Sequence, residues 1–382
     1  PSRARDNDAV YKGMSFAMMG ISLPSMALSP ASVAPAVLTA IATAFAQEAG
    51  KPIVNVTAEK IVQFGLVVKD VNKVAMRFSE VFGTSWKLYD VKPKRIILHG
   101  KELGDVECLL KVAIGDMGGR SFKLIQPVSG PSTYMEFMEK YGEGFLYFSL
   151  GTVSDHDKFV AALKKAGVGI EMQGRLGRKA TFTILDTLED LGCYIEMISP
   201  AWNDTESNVQ LTAVYEHRGP SIIDMATPFF SGGKRINQVG IVLKDEKKAA
   251  KRYQELLGIG PWIVVPVAQK TNAFLDERPV SEAGMDGLHN DAAFAYLGDI
   301  QFELLKPAGG PSCHRKFLDR RGNGIQHVSF GRQADYDQVI AASKKAGIHR
   351  EYSAILGGTT VVNYLAMREQ LGGFQLDITK LK

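Results

Sequence analysis

The feature that most restricts the fold of this chain is an internal repeat. The segment Ile61–Asp70 recurs as Ile236–Asp245 at an offset of 175 residues, and Leu124–Pro127 recurs as Leu304–Pro307 at an offset of 180. Independent matches at nearly one offset indicate a duplication. The 382 residues are also too many for one ordinary domain and suit two. We therefore expect two copies of one folding unit.

Each copy divides again into two smaller modules. Ile61–Val68 alternates apolar residues as a strand does, and Val71–Phe82 follows with apolar residues four apart, as on one face of a helix. Three further strand-like runs come next, and the same cycle then restarts near Gly144. The second copy repeats this order. The sequence thus predicts an α+β fold of four βαβββ modules arranged as two tandem domains.

The repeat also sets the expected domain boundaries. The first domain is predicted at 59–200 and the second at 235–382, with a linker at 201–234 that is punctuated by Pro, Gly and Ser. Asn272–Asn290 has no obvious counterpart in the first copy. It is predicted to be an extra loop that forms a lid or a substrate wall.

Residues 1–58 precede the repeat and are predicted to form an N-terminal arm. Ser32–Ala49 reads as a helix that packs on the domains or on a second subunit, which leaves a homodimer open. The alternative is an export signal, because Met14–Ala46 is almost uncharged and Ala44–Ala46 resembles a signal-peptidase site. Three prolines and an acidic start argue against that alternative, so a cytoplasmic location is expected.

Composition narrows the classes of partner. The net charge is only +4, and basic and acidic residues are interspersed, which argues against nucleic acid. No segment approaches the roughly 20 apolar residues that a membrane span needs. The three cysteines are far apart and form no metal-spacing pair, which favours a reducing compartment. A small molecule remains as the expected partner.

Several phrases of the second copy carry a family resemblance. They are Gln238–Val242, Phe302–Pro307, Gly324–Phe330 and Gly373–Asp377. Paired βαβββ modules with polar residues at these places resemble the vicinal oxygen chelate superfamily, which includes glyoxalase I, methylmalonyl-CoA epimerase and the extradiol dioxygenases. The resemblance implies that two modules cup around one divalent metal ion, held by residues from the first and fourth strands of each module.

Transferred position by position, the resemblance assigns four metal ligands in the second copy: Gln238, Glu303, His327 and Asp377. An imidazole, an amide oxygen and two carboxylates suit zinc, nickel, cobalt, manganese or iron. Strand alternation places Ile325, His327 and Ser329 on one face. The other histidines, His99 and His314 among them, fall in no ligand pattern, and His314 reads as a solvated helix start.

The first copy lacks this ligand set. Its corresponding residues are Gln63, Lys123, Tyr147 and Glu196. A lysine ammonium repels a cation, so we expect Lys123 to form a salt bridge with Glu196 in place of a metal site. Each metal site is built from two modules. If a module of one copy paired with a module of the other, these residues would mix with the ligands of the second copy, so a site built from both modules of the second copy is preferred.

The resemblance implies a metal-dependent isomerase, epimerase or lyase that stabilises an enolate of a small oxygenated substrate. Asp377 occupies the position of the base, with Glu303 as its partner on the opposite face; the usual residue at the base position is Glu. Two alternatives stay open. One is a ring-cleaving or 2-oxo-acid non-haem iron dioxygenase, and the other is a metal-free protein that binds small molecules.

Overall fold

The structure is a computed structural model. It describes residues 51–56, 61–153, 155–199, 208–225, 234–267, 270–281, 284, 288–356 and 358–382. The predicted helix Ser32–Ala49 lies outside the described residues. We call 61–215 the first repeat and 236–381 the second repeat.

The first repeat forms one curled mixed sheet. Its strands are β1 (Gln63–Val67), β2 (Trp86–Val91), β3 (Lys94–Leu98), β4 (Lys101–Gly104), β5 (Leu109–Met117), β6 (Arg120–Ser129), β7 (Gly144–Ser149), β8 (Ile170–Leu176), β9 (Ala180–Leu185), β10 (Tyr194–Ser199) and β11 (Val209–Tyr215). Within the described residues they lie in the order β11-β2-β5-β6-β1-β7-β10-β9-β8-β3-β4.

The second repeat forms a second sheet of the same plan. Its strands are β12 (Gln238–Val242), β13 (Ile263–Val267), β14 (Lys270–Leu275), β15 (Arg278–Pro279), β16 (His289–Leu297), β17 (Ile300–Gly309), β18 (Gly324–Arg332), β19 (Arg350–Leu356), β20 (Thr360–Leu365) and β21 (Leu376–Leu381). Their order is β13-β16-β17-β12-β18-β21-β20-β19-β14-β15. The predicted α+β fold of βαβββ modules in two tandem domains is thereby confirmed.

Helices connect the strands, and all of those named here except the single turn Leu188–Leu191 have a counterpart at the matching place in the other repeat. They are α1 (Val71–Phe82), α2 (Thr133–Tyr141), α3 (His156–Lys165), α4 (Leu188–Leu191), α5 (Glu246–Leu257), α6 (Cys313–Arg321) and α7 (Tyr336–Lys345). None of the helices in the described part of the chain is long and apolar enough to cross a membrane.

The repeated sequence phrases explain why the same helix begins and ends at the same place twice. Asp70 caps α1 by accepting from the backbone N–H of Lys73, and Asp245 caps α5 by accepting from that of Lys248. Gly83 ends α1 in the left-handed region, at a φ of 73°, where a residue without Cβ is preferred. Both repeats therefore enter their sheets with the same geometry.

The two repeats share one apolar core between their sheets. Phe374 of the second repeat lies 5.1 Å from Phe78 of α1 and 5.9 Å from Phe122 of β6, measured between ring centroids. Phe148 of the first repeat meets Phe302 of the second at 5.6 Å. Each sheet also has its own concave face. We call the face that carries Lys123, Tyr147 and Glu196 the first cup, and the face that carries Glu303, His327 and Asp377 the second cup.

Three features differ from the sequence prediction. The expected linker at 201–234 contains β11, which pairs with β2 at the edge of the first sheet. The expected extra loop Asn272–Asn290 is wrong in its first part, because β14 and β15 form a hairpin there, and β14 pairs with β19. The first repeat has the matching hairpin of β3 and β4, which the sequence pattern did not reveal. Both hairpins extend the sheets beyond the expected modules.

Candidate metal centre

Four adjacent strands of the second sheet carry the four predicted ligands. Glu303 lies on β17, Gln238 on β12, His327 on β18 and Asp377 on β21, and these strands are neighbours in that order. Gly240 of β12 is directly opposite Glu303 on one side and His327 on the other. All four strands belong to the second repeat, so its half-sites pair directly.

A glycine and a bulge position His327. A Cβ at Gly240 would lie 1.8 Å from Cε1 of His327, so the imidazole occupies the space that a side chain there would fill. The register between β12 and β18 shifts here, leaving Gln326 as the extra residue of a β-bulge. Because of this bulge Ile325 does not share the face of His327, and the strand-alternation argument was wrong on that point.

The hydrogen bonds of His327 leave one nitrogen for a ligand. Its Nδ1 donates to Oε1 of Gln326 at 2.8 Å, which fixes the tautomer that has a lone pair on Nε2. Nε2 has no hydrogen-bond partner and lies 3.3 Å from Oε2 of Glu303. The imidazole is fully buried, whereas the carboxylate of Glu303 is 15% exposed.

Asp377 is a buried acid with one carboxylate oxygen unused. Its Oδ2 accepts from the hydroxyl of Ser329 at 2.9 Å, and its Oδ1 is buried without a partner. Burial, together with the nearby charge of Glu303, raises the pKa of Asp377 to about 6 against the opposing effects of His327 and of the hydrogen bond from Ser329. A carboxyl with this pKa exchanges protons near neutral pH.

Gln238 sits at the edge of the group. Its Nε2 donates to Oε1 of Gln301 at 2.8 Å, and the Nε2 of Gln301 donates to Tyr296. This chain of amides commits the nitrogen of Gln238, so the carbonyl oxygen is the atom that can serve as a ligand.

The donor set fits a divalent cation. Two buried atoms without hydrogen bonds, Nε2 of His327 and Oδ1 of Asp377, are costly to bury unless an ion or a substrate satisfies them. Among the described residues, the ligating atoms of Glu303, His327 and Asp377 are not all within 4.8 Å of one another. Ion binding therefore requires a carboxylate side chain to rotate toward the imidazole.

In the first cup a salt bridge occupies the place that the candidate metal ligands occupy in the second cup. Nζ of Lys123 lies 2.7 Å from Oε1 of Glu196, and both side chains are buried, which confirms the predicted pair. Tyr147 covers Gly65 as His327 covers Gly240: a Cβ at Gly65 would lie 2.3 Å from its ring. The geometry is shared by both cups, and only the chemistry differs.

Sequence reasoning missed most of the polar residues around the site. Gln326 and Ser329 hold His327 and Asp377, and both are buried. His314 is also buried rather than solvated, with its ring 6.3 Å from that of His327 and 5.1 Å from that of Tyr364. The available signal was the repeat itself, because Leu146 and Tyr134 of the first repeat occupy the places of Gln326 and His314.

The buried acid gives a first prediction, on pH and stability. A folded-state pKa of about 6 against an ordinary 3.8 favours protonated Asp377, so its contribution to stability is complete below about pH 4 and is lost as the pH rises through 6. In chelator-treated protein, Asp377→Asn should therefore raise the free energy of unfolding at neutral pH by about 3 kcal/mol. Urea unfolding of both proteins across this range measures it. Equal stability of the two proteins at neutral pH would contradict the shift.

Comparison with known proteins agrees with the fold and with the sequence resemblance. Residues 237–359 match the family described as the glyoxalase/bleomycin resistance protein/dioxygenase superfamily. The uncharacterized protein YqjC of Bacillus subtilis (strain 168) is 27% identical over 96 residues, which is 25% of this chain. The chain spans about half (56%) of the length of that relative.

Solved structures resemble the chain at low identity. A triple mutant of 4-hydroxymandelate synthase from Streptomyces coelicolor superposes with a TM-score of 0.50 at 11% identity, covering 85% of this chain and 93% of that one. Methylmalonyl-CoA epimerase from Mycobacterium tuberculosis gives a TM-score of 0.28 at 22% identity, over 38% of this chain and 86% of that one. The first of these shows a common fold across both repeats. Residues 237–359, most of the second repeat, thus match the glyoxalase/bleomycin resistance protein/dioxygenase superfamily, in agreement with the vicinal oxygen chelate resemblance of the sequence.

Proposed function

We propose that the second cup holds a divalent metal ion and catalyses proton transfer on a small oxygenated substrate, as an isomerase, epimerase or lyase. The single observation that carries this proposal is that two possible ligand atoms in one cup, Nε2 of His327 and Oδ1 of Asp377, are buried without a hydrogen-bond partner. Glu303 and the carbonyl oxygen of Gln238 complete the set of ligands. A bound ion would polarise a substrate carbonyl and lower the pKa of the adjacent C–H.

The residues of the cup supply the remaining steps. Asp377, whose pKa burial raises to about 6, accepts a proton from the substrate carbon and returns or redirects it. Glu303 stands on the other side of His327 and can exchange a proton on the opposite face of the substrate. Gln326 keeps Nδ1 of His327 protonated, so that imidazole presents a lone pair and not a second N–H.

The dioxygenase alternative has one observation in its favour, the fold shared with 4-hydroxymandelate synthase over 85% of this chain. Non-haem iron oxygenases usually hold iron with two imidazoles and one carboxylate. The four ligand positions here offer one imidazole, that of His327, together with two carboxylates. This donor set favours proton transfer over oxygen chemistry. Oxygen uptake by iron-loaded protein in the presence of catechols or 2-oxo acids would reverse that preference.

Elemental analysis of purified protein tests the proposal. We expect His327→Ala to lower the content of bound divalent metal by one ion per chain, because it removes the buried imidazole donor. The matched control is Tyr147→Phe, at the corresponding position of the first repeat, which should leave the metal content unchanged. Unchanged metal content in His327→Ala, Glu303→Ala and Asp377→Ala alike would show that the second cup holds no metal, and would leave metal-free binding of a small molecule as the better description of that cup.

A further inference from the structure

A second group of metal-ligating side chains lies in the first repeat, away from the second cup. His99 is in the turn between β3 and β4, Glu136 is on α2 and Glu171 is on β8. Each offers one ligand atom, and these three atoms all lie within 4.8 Å of one another. Nδ1 of His99 is 3.3 Å from Oε2 of Glu171, and Nε2 is 2.9 Å from Oε2 of Glu136.

The second repeat provides an internal comparison for this place. The backbone N–H of His99 donates to the carbonyl of Glu171 at 2.8 Å, and that of Asp276 donates to the carbonyl of Glu351 at the same distance. His99 and Asp276 are therefore equivalent positions. Lys316, the fourth residue of α6, pairs with Asp276 there, just as Glu136, the fourth residue of α2, contacts His99.

Around Asp276 in the second repeat, each acidic side chain is paired with a basic one. Beside the pair of Asp276 with Lys316, Glu277 pairs with Arg350 at 2.8 Å and Glu351 with Arg368 at 3.5 Å. Three acids thus face three bases. Besides the backbone pairing of β14 with β19, ion pairs of Asp276 and Glu277 tie the hairpin of β14 and β15 to α6 and to the rest of the sheet.

All three bases are missing from the first repeat. Glu136 stands in place of Lys316, and matching backbone hydrogen bonds and strand register put Ile170 in place of Arg350 and Leu188 in place of Arg368. Two acids and one histidine remain. Their formal charge is −2 when the histidine is neutral and −1 when it is protonated, and the hydrogen bond with Glu136 raises the pKa of His99. A divalent cation is the partner that would restore the balance found in the second repeat.

The burial of Glu171 makes the missing charge costly. Its side chain is only 8% exposed, and its Oε1 accepts from the hydroxyl of Tyr194 at 3.2 Å. Desolvation raises its pKa, and the nearby charge of Asp186 raises it further, against the opposing effect of His99. His99 and Glu136 are about half exposed, so an ion and one water molecule can enter from solvent.

We propose that His99, Glu136 and Glu171 form a zinc-type divalent cation site that clamps the hairpin of β3 and β4 to α2 and β8. One imidazole and two carboxylates, with water as the fourth ligand, make an ordinary tetrahedral donor set for zinc. The site is structural. It ties the first hairpin to its neighbours as the ion pairs of Asp276 and Glu277 tie the second, and it is independent of the proposed catalytic metal.

The test uses Zn²⁺ alone on full-length His327→Ala protein, in which the proposed catalytic site is removed. Calorimetric titration should show one Zn²⁺ bound per chain, and the ion should raise the midpoint of thermal unfolding. Adding His99→Asn or Glu171→Gln should weaken binding by at least about 100-fold. Glu351→Gln, the matching change in the second repeat, should leave zinc binding unaltered.

A charge reversal separates this site from an ordinary surface ion pair. Glu136→Lys restores the lysine of the second repeat, so it should abolish zinc binding while the metal-free protein keeps its stability. Because His99 is half exposed, His99→Asn should fold even if Glu171→Gln does not. Absence of zinc binding in His327→Ala, or binding that survives both His99→Asn and Glu136→Lys, overturns the proposal and leaves the proposed function of the second cup untouched.

Discussion

Lys123→Met is expected to destabilise the metal-free protein by about 3–5 kcal/mol, because it leaves a buried carboxylate without its cation. Glu196 is 0% exposed, its Oε1 is 2.7 Å from Nζ of Lys123, and its Oε2 has no hydrogen-bond partner. Methionine fills the volume of the lysine stem without replacing the charge. Urea unfolding at neutral pH, with a chelator present, measures the loss.

The repeat offers a matched control for this prediction. Glu303 is the counterpart of Lys123, and Glu303→Met should be neutral or stabilising in the metal-free protein, because it removes a charge that repels Asp377. The double variant Lys123→Met with Glu196→Leu should recover most of the stability, since an apolar pair of similar volume often replaces a buried ion pair without loss. A cost below about 1 kcal/mol for Lys123→Met would show that water reaches Glu196.

Opposite changes in stability for Lys123→Met and Glu303→Met would show that the two cups have different roles. In the first cup the charges neutralise each other, so the cup is a stable wall. In the second cup two acids lie beside one imidazole. Ligand atoms that accept no hydrogen bond are buried there, and their burial lowers the stability of the fold. We infer that any chemistry belongs to the second cup, because its buried imidazole and carboxylate atoms without hydrogen bonds have no counter-charge like Lys123, which neutralises Glu196 in the first cup.

The sequence predicted the modules well because each has a strong local signal. The short apolar run of β1, the four-residue spacing in α1 and the repeated Asp caps are all properties of short segments. The hairpin of β3 and β4 was missed because Lys101–Gly104 is exposed at every residue, so burial imposes no alternation on it. Its strand pairing comes from the edge of β3, which a local pattern does not contain.

The candidate ligands were found from family position, but their surroundings were not. The bulge at Gln326 adds one residue to β18 and reverses the faces before and after it, so strand parity could not place Ile325 and His327 correctly. The cluster of His99, Glu136 and Glu171 joins a turn, a helix and a strand. Residues so far apart in the chain give no spacing that marks them as a site.

Gly240→Ala is expected to abolish metal binding by the second cup, and proton transfer with it, although no proposed ligand is changed. The new Cβ would lie 1.8 Å from Cε1 and 2.3 Å from Nε2 of His327, so the imidazole must leave its place between Gly240 and Glu303. Gly240 is not among the glycines with positive φ, so alanine suits its backbone. The damage should therefore fall on the side chain of His327 and not on the strand.

Gly65→Ala is the matched control, because its Cβ would meet the ring of Tyr147 at 2.3 Å in the same way. Both variants should lose stability through overpacking, by about 1–3 kcal/mol, and only Gly240→Ala should lose one metal ion per chain. Adding His327→Ala to Gly240→Ala should relieve the overpacking without restoring the metal. If Gly240→Ala kept its metal, His327 could not be a ligand in the orientation that the bulge at Gln326 gives it, and the proposed site would have to be abandoned.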